Sequence, residues 1–360
     1  MLYELLYSLH NYFTPLNVFR YITFRTSLAS LTSLIVTLII APKIIRWLRR
    51  ISVTQQIRSD GPQTHLAKAG TPTMGGIIIV IAIMTAVLFW GNFRNIYTWV
   101  LSVALLGFGA VGFIDDYLKT VKRNPMGLRA WYKFGAQVLI ALVIGVFLYF
   151  NPSDPYNTVV SIPFFKKWLF DIGCFYIPFS VFVIVGSSNA VNLTDGIDGL
   201  AIGLVAIAAL ANVGLVYVSG HALFAKYLQV LYLPGIGELT VFCGAMAGAA
   251  LGFLWFNSYP AEVFMGDVGS LGLGGALGTV AVVAKNEIVL AVVGGIFVIE
   301  TVSVVMQVAS FKLTGKRIFK MAPLHHHFEL KGWQEPKVIV RFWIIGIILA
   351  LFSLATLKLR

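Results

Sequence analysis

Ten long apolar runs are the feature of this sequence that most constrains its fold. Each approaches the length of about 20 residues that a helix needs to cross the hydrocarbon core of a bilayer. The runs are continuous, whereas strands of a membrane barrel would alternate in pieces of about ten residues. We therefore predict an all-α polytopic membrane protein with about ten transmembrane helices, built as a single domain over residues 1–360. The expected spans are 20–46, 73–90, 96–114, 132–150, 168–187, 199–218, 237–256, 263–284, 288–310 and 338–357.

The composition excludes a soluble or a disordered chain. Hydrophobic residues make up 58% of the sequence and charged residues only 12%, against roughly 25% charged residues in soluble domains. The two cysteines, Cys174 and Cys243, lie in apolar runs, so neither a disulfide framework nor a cysteine metal site is expected. A net charge of +12 often indicates a nucleic-acid partner, but here the basic residues punctuate apolar runs and form no single patch. No nucleic-acid partner is predicted.

The distribution of Lys and Arg predicts the orientation of the chain. Loops rich in these residues tend to stay in the cytoplasm. If the loop after the first span is cytoplasmic, that side carries 18 of the 27 basic residues. An even number of spans then puts both termini on the outer, periplasmic side, and the long polar loops on the cytoplasmic side.

The scarce aspartates gather at span ends on this basic side. Acidic groups at membrane depth are costly and usually functional. Adjacent carboxylates at the end of the third span meet the negative end of a helix dipole and repel each other, so they call for a cation. The alternative is a pair of hydrated loop acids bridged to neighbouring basic residues. The five aspartates of this group are Asp115, Asp116, Asp195, Asp198 and Asp267.

Two loops between spans carry polar motifs with glycine. Asn192-Leu-Thr-Asp-Gly-Ile-Asp-Gly199 can present oxygen ligands and backbone N–H groups to phosphates, although Asp198 could simply cap the next helix. Asn257 and Phe264-Met-Gly-Asp-Val-Gly-Ser270 lie at a second junction. Asp267 falls near the start of the eighth span, where the helix dipole favours its ionised form, and its alternative role is also that of a cap.

Three consecutive histidines occur in the last basic loop, within Pro323-Leu-His-His-His-Phe-Glu329. Consecutive residues of a helix point in directions about 100° apart, so the three rings cannot converge on one metal ion. One or two of them could contact a phosphate or sugar, or exchange protons near neutral pH. The alternative is an amphipathic segment at the lipid headgroups.

The combination of carboxylates, asparagines and basic loops predicts phosphoryl transfer at a membrane surface. Hard oxygen ligands favour Mg²⁺, with Mn²⁺ as a second option. Mg²⁺ is typically bound by one or two carboxylates together with substrate phosphates, and basic side chains can hold the remaining phosphate charge. The sequence has no Walker A motif, so an ATPase is not expected.

These motifs, taken together, resemble the polyprenyl-phosphate N-acetylhexosamine-1-phosphate transferases over essentially the whole chain. The histidine block and Thr71-Pro-Thr-Met-Gly-Gly76 point to the muramoyl-pentapeptide branch of that family. The resemblance implies an enzyme of peptidoglycan synthesis in the bacterial inner membrane. It would transfer phospho-N-acetylmuramoyl-pentapeptide from the UDP-linked precursor to undecaprenyl phosphate, giving lipid I and UMP. It also suggests a homodimer, which the small-residue helix faces would permit.

The resemblance further implies roles for individual residues. Asp267 would bind Mg²⁺, and Asp115 or Asp116 would orient or deprotonate the lipid phosphate. Direct displacement by that phosphate is favoured, and an aspartyl-phosphate intermediate is the alternative. Phe264 could stack on uracil. The predicted substrate-binding residues are Lys68, Lys119, Lys133, Asn192, Asp195, Asp198, Asn257, Phe264, Gln307, His325, His326 and His327.

Two other functions fit parts of the pattern. A related enzyme could use UDP-N-acetylglucosamine as the sugar donor. A cation-coupled transporter would also carry acidic groups in its helices, but its acids would lie near the bilayer midplane, whereas these gather at one side.

Overall fold

The computed structural model describes residues 2–51, 70–124, 126–151, 156–162 and 168–359, with side chains up to residue 358. Lys68 lies outside the described residues. The helices are α1 (Leu2–Ser8), α2 (Ile22–Arg50), α3 (Gly76–Trp90), α4 (Ile96–Thr120), α5 (Ala130–Tyr149), α6 (Tyr176–Thr194), α7 (Leu200–Gly220), α8 (Ala222–Leu228), α9 (Leu239–Asn257), α10 (Gly266–Val283), α11 (Glu287–Val293), α12 (Gly295–Thr314), α13 (Leu324–Glu329) and α14 (Glu335–Leu359).

Every predicted span overlaps a helix in the structure. Among the described residues, nine helices are long and apolar enough to cross a membrane, and α3 is a shorter apolar helix of 15 residues. The prediction of an all-α polytopic membrane protein is therefore confirmed. One small antiparallel hairpin departs from it, in which β1 (Val159–Ser161) pairs with β2 (Leu169–Asp171).

Two spans differ most from the predicted ones. The apolar run predicted to start at residue 168 begins with β2, and the helix α6 starts only at Tyr176 because Gly173, with φ +53°, turns the chain first. The run at 288–310 is divided at Gly294 into the short α11 and the longer α12. Apolar composition predicts where a membrane segment lies, but it does not show where the chain turns within that segment.

Helix α10 forms the centre of the bundle. It packs against α3, α4, α6 and α7, and every residue from Val268 to its end is buried. Its glycines allow this packing because neighbouring backbones approach very closely. A Cβ at Gly274 would lie 2.7 Å from the backbone of Ser187. This is the close approach that small residues permit between membrane helices.

A second small-residue face joins α9 to α2. A Cβ at Gly248 would lie 2.0 Å from the carbonyl oxygen of Ser30, and Gly244 and Gly252 approach α2 in the same way. The small-residue faces that we expected to permit a dimer are thus used inside the chain.

The chain order brings several helix termini to one end of the bundle, which we call the site end. α4 and α6 finish there, and α5 and α10 begin there. Contacts between side chains of these four helices, described next, hold that end together.

Candidate active site

Two lysines and two aspartates form the centre of the site end. Lys119 Nζ lies 2.7 Å from Asp115 Oδ2 and 3.2 Å from Asp267 Oδ2. Lys133 Nζ lies 3.1 Å from Asp115 Oδ2 and 2.6 Å from Asp267 Oδ2. Each ammonium group is therefore shared by both carboxylates, and we call these four residues the lysine–aspartate cluster.

Three helices build this cluster. Asp115 and Lys119 are one turn apart on α4, Lys133 lies in the first turn of α5, and Asp267 in the first turn of α10. The other carboxylate oxygen of Asp115 accepts a hydrogen bond from the backbone N–H of Leu128 at 2.7 Å, which ties the α4–α5 loop to the cluster.

The close approach of α4 and α10 sets the position of Asp267. A Cβ at Gly112 would lie 2.1 Å from the carbonyl oxygen of Asp267. Only glycine allows the two backbones to be this near, so Gly112 lets the aspartate of α10 reach the acidic end of α4.

Asp116 is held by the backbone at the start of α10. Its Oδ2 accepts a hydrogen bond of 3.2 Å from the N–H of Val268. Gly266 has φ +71°, and a Cβ there would lie 2.6 Å from the same carboxylate oxygen. Gly266 is therefore needed for two reasons: it adopts the positive φ of the turn before α10, and it leaves space for the Asp116 carboxylate.

Asn192, at the end of α6, completes the contacts of Asp267. Its Nδ2 donates to Asp267 Oδ1 and to Ser270 Oγ, both at 2.8 Å. Asp195 follows α6 directly. Burial, and next the charges of Asp267 and Asp198, raise the pKa of Asp195 to about 8, against a hydrogen bond from the backbone of Gly266 that lowers it.

Asn257 and Asp198 connect loops at the site end. Asn257 Oδ1 accepts from the N–H of Gly199 at 3.1 Å, and its Nδ2 donates to the carbonyl oxygen of Val263 at 2.9 Å. Asp198 Oδ2 accepts from the N–H of Ala261 at 3.1 Å. Both side chains are buried and join the α6–α7 loop to the α9–α10 loop. Whether they also contact a substrate stays a prediction.

Phe264 lies beside the segment that precedes α3. Its N–H donates to the carbonyl oxygen of Pro72 at 2.8 Å, and its carbonyl oxygen accepts from the N–H of Gly75 at 2.9 Å. Its side chain is only partly buried. The backbone pairing thus brings the Thr71–Gly76 motif next to the aspartate motif of α10.

The three histidines lie on the short helix α13 and have different surroundings. His325 is fully buried. His326 Nδ1 lies 2.8 Å from Glu329 Oε2. His327 Nδ1 accepts a hydrogen bond of 3.1 Å from the N–H of Lys320. Burial, and then the charges of Lys331 and Lys320, lower the pKa of His327, which agrees with an unprotonated Nδ1.

Gln307 holds a loop in this structure. Its Oε1 accepts from the N–H groups of Ile318 and Phe319, at 3.0 and 2.9 Å, and its Nε2 donates to the carbonyl oxygen of Phe319 at 3.0 Å. The predicted contact of Gln307 with a substrate therefore stays a prediction, and so does the role of Lys68.

Two polar groups at the site were missed by sequence reasoning. Ser270 was quoted only as part of a motif, although it bonds Asn192. Glu335 Oε1 accepts from the N–H of Asp198 at 2.9 Å. An acidic residue at the basic end of the last span is unusual enough in this sequence to have drawn notice.

The donor set suits Mg²⁺ in kind. Asp115, Asp116, Asp195 and Asp267 supply carboxylate oxygens, the ligands that this cation prefers. Within the described ranges no ion pair reaches Asp116 or Asp195, and no group of three His, Cys, Asp or Glu residues has the arrangement of a metal centre. The lysine ammonium groups contact Asp267 Oδ2, so a cation held by this carboxylate would compete with them.

Comparison with known proteins first identifies the class. Residues 98–285 match the family model described as glycosyl transferase family 4, so the α4–α10 region that contains the lysine–aspartate cluster is that of a membrane-embedded glycosyl transferase. Residues 68–80, leading into α3, match signature 1 of phospho-N-acetylmuramoyl-pentapeptide-transferase.

Full-length relatives identify the particular family. Proteins named phospho-N-acetylmuramoyl-pentapeptide-transferase are 70% identical in Thermodesulfovibrio yellowstonii, 58% in Desulfosudis oleivorans and 54% in Citrifermentans bemidjiense, and each alignment covers 100% of both chains. This chain belongs to the phospho-N-acetylmuramoyl-pentapeptide-transferase family.

Proposed function

We propose that the protein transfers phospho-N-acetylmuramoyl-pentapeptide from its UDP-linked precursor to undecaprenyl phosphate, forming lipid I and releasing UMP. The full-length identity to relatives of that name supports the reaction. The observation that carries it in the structure is the lysine–aspartate cluster. Two ammonium groups, each within 3.2 Å of an oxygen of both carboxylates, at the end of a membrane bundle, suit a reaction between a lipid phosphate and a diphosphate.

In this proposal Lys119 and Lys133 bind phosphate oxygens, and Asp115 or Asp116 orients the lipid phosphate. Ammonium groups preorganised between carboxylates lose little freedom when phosphate oxygens replace carboxylate oxygens as their partners. We favour direct displacement by the lipid phosphate, because it is already a nucleophile. An aspartyl-phosphate route would require one of the same carboxylates to attack first.

Asp267, with Asp116 and Asp195 nearby, would hold Mg²⁺. When bound, the cation neutralises charge that develops on the diphosphate. Asn192 orients Asp267 through its 2.8 Å hydrogen bond. Phe264, the histidines of α13 and Lys68 are proposed to bind the nucleotide-sugar, and Asp198, Asn257 and Gln307 would support the same surface through the loops that they join.

We also propose the orientation and assembly. The site end carries the larger share of Lys and Arg, so it faces the cytoplasm of the bacterial inner membrane. Ten spans then leave both termini outside. Residues 1–360 act as one domain. A homodimer is supported by the family resemblance alone, since the glycine faces are used within the chain. The mass of the detergent-free particle in nanodiscs tests it.

The reaction is tested with the purified protein in detergent, where no two compartments exist. We expect Mg²⁺-dependent UMP release with undecaprenyl phosphate and the muramoyl-pentapeptide precursor, and none with UDP-N-acetylglucosamine. Turnover with UDP-N-acetylglucosamine alone would assign the other sugar. Absence of turnover with either donor would contradict an enzyme of this class and favour a transporter.

The role of Asp267 is tested by Asp267→Asn. We expect loss of both lipid I formation and exchange of labelled UMP into the UDP-sugar, because the amide cannot replace the charge of the carboxylate toward Mg²⁺. Asp171→Asn makes the same chemical change in the exposed hairpin strand β2 and should retain activity. UMP exchange by Asp267→Asn without lipid would contradict the metal role and favour a covalent intermediate.

A further inference from the structure

Glu300 is a fully buried acid in the membrane helix α12 that the proposed reaction does not use. Its carboxyl group points to the start of α13. Glu300 Oε2 accepts a hydrogen bond of 2.6 Å from the N–H of Leu324, and Oε1 accepts one of 3.2 Å from the N–H of His325. Both oxygens therefore bond the first turn of the histidine helix.

The contact with Glu300 provides an N-terminal cap that α13 does not have in its own sequence. The helix has six residues, and Pro323 before it has no side chain that can cap its free N–H groups. A helix this short is not stable alone in water, and uncapped N–H groups that are buried are costly. Glu300 thus caps α13 from another helix and anchors it to α12.

The anchored helix α13 packs closely against the α6–α7 loop, which carries Asp195 and Asp198. A Cβ at Gly196 would lie 2.2 Å from His325 Nε2 and 3.2 Å from His326 Nε2. The His325 ring is also close to Glu300, with 3.4 Å between Nδ1 and Oε2. The buried His325 ring lies between Glu300 and Gly196, so the position of Glu300 bears on the α6–α7 loop through that ring.

We propose that Glu300 is a positioning residue that sets His326 and the Asp195 loop relative to each other, and so determines how the nucleotide-sugar is held. His326 is the histidine whose position depends most on this anchoring, because its ring lies beside Gly196 and is oriented by Glu329. The effect on substrate rests on the proposed function, whereas the anchoring of α13 stands on the contacts alone.

The test compares Glu300→Gln with Thr301→Val. Glutamine keeps the length of the side chain but has one acceptor oxygen, and its amide N–H₂ would face a backbone N–H. Thr301 is the next residue of α12, and among the described residues its hydroxyl donates only within its own helix, to the carbonyl oxygen of Phe297. We expect Glu300→Gln to raise the KM for the UDP-linked precursor about tenfold or more while the KM for undecaprenyl phosphate is unchanged. Thr301→Val should change neither.

Hydrogen–deuterium exchange measures the anchoring without any turnover. Glu300→Gln should speed exchange in the peptide covering 322–330, and Thr301→Val should not. If the unsubstituted protein has no transferase activity but Glu300→Gln still speeds exchange in this peptide, the proposed reaction is contradicted and the anchoring of α13 is supported. Unchanged exchange, or an equal rise in both KM values with faster exchange throughout the chain, would overturn the positioning role.

Gly196→Ala provides a second variant if Glu300→Gln does not fold. It disturbs the same contact from the opposite side, because the added methyl group meets the His325 ring. We expect the same selective rise in KM for the precursor and the same local change in exchange. A normal KM for the precursor in Gly196→Ala would overturn the proposal.

Discussion

At the scale of residues, the site depends on the balance of charge between two lysines and two aspartates. Each lysine contacts both aspartates, so removal of one ammonium group leaves both carboxylates with less compensation. Charge-assisted hydrogen bonds are about twice as strong as neutral ones. In the proposed reaction the same residues bind two phosphorylated substrates, so the loss of a single positive charge should lower the rate of transfer.

Lys133→Gln tests this balance. We expect kcat/KM for the precursor to fall about 100-fold, the usual cost of removing one preorganised group that stabilises developing charge, as measured by steady-state UMP release. Lys122→Gln removes an equal charge from the exposed turn after α4 and should lower kcat/KM by less than about threefold, a screened surface effect. Equal losses in the two variants would mean that only the general positive charge of the loops matters.

At the scale of elements, close helix packing decides where the side chains of the candidate site meet. α4 and α10 touch through Gly112, and α3 and α10 touch through Gly76, where a Cβ would lie 2.1 Å from the backbone N of Gly269. Protein interiors do not absorb an added methyl group without displacement. The start of α10, and Asp267 with it, is therefore positioned by the absence of side chains on its neighbours.

Gly112→Ala should consequently affect stability and activity together. Its methyl group would meet the backbone of Asp267, and overpacking of this kind costs about 1–3 kcal/mol. We expect a lower Tm in detergent and a fall in kcat. Gly186→Ala, on α6, adds its methyl group where no atom lies within 4 Å, and its Tm should be equal or slightly higher. An unchanged Tm for Gly112→Ala would mean that α4 and α10 can separate freely.

At the scale of the whole molecule, the helix order and the basic loops together predict one orientation in the membrane. Cys174 is exposed just before α6, at the end opposite the site, whereas Cys243 is buried in α9. The two native cysteines can therefore report sidedness, because Cys174 is exposed at the end of an apolar helix and Cys243 is buried.

A membrane-impermeant maleimide should label Cys174 in spheroplasts, and Cys174→Ser should abolish the labelling. Thr314→Cys in that background puts a thiol at the exposed end of α12, on the site end. We expect it to be labelled only after the membrane is permeabilised. The reverse pattern, with Thr314→Cys labelled in intact spheroplasts, would contradict a cytoplasmic active site.

Much of the architecture and part of the site could be predicted from sequence, for different physical reasons. Long apolar runs reveal membrane helices because the bilayer admits few other spanning structures. Aspartates are costly in such a chain, so Asp115, Asp116 and Asp267 are conspicuous wherever they occur. Glu300 was less informative, because a lone acid within a span gives no indication of the backbone it caps, and α13 comes 24 residues later in sequence.

Hydrophobicity and charge act locally along the chain, so the order of residues is enough to predict many membrane crossings and five aspartates at one end. Which side chains meet depends on how the helices fold together. The sharing of Lys119 and Lys133 between Asp115 and Asp267, the pairing of Phe264 with Pro72 and the anchoring of α13 by Glu300 join residues far apart in sequence. Such contacts depend on how closely whole helices approach, and that distance is set by packing around glycines whose partner helices the local pattern does not reveal.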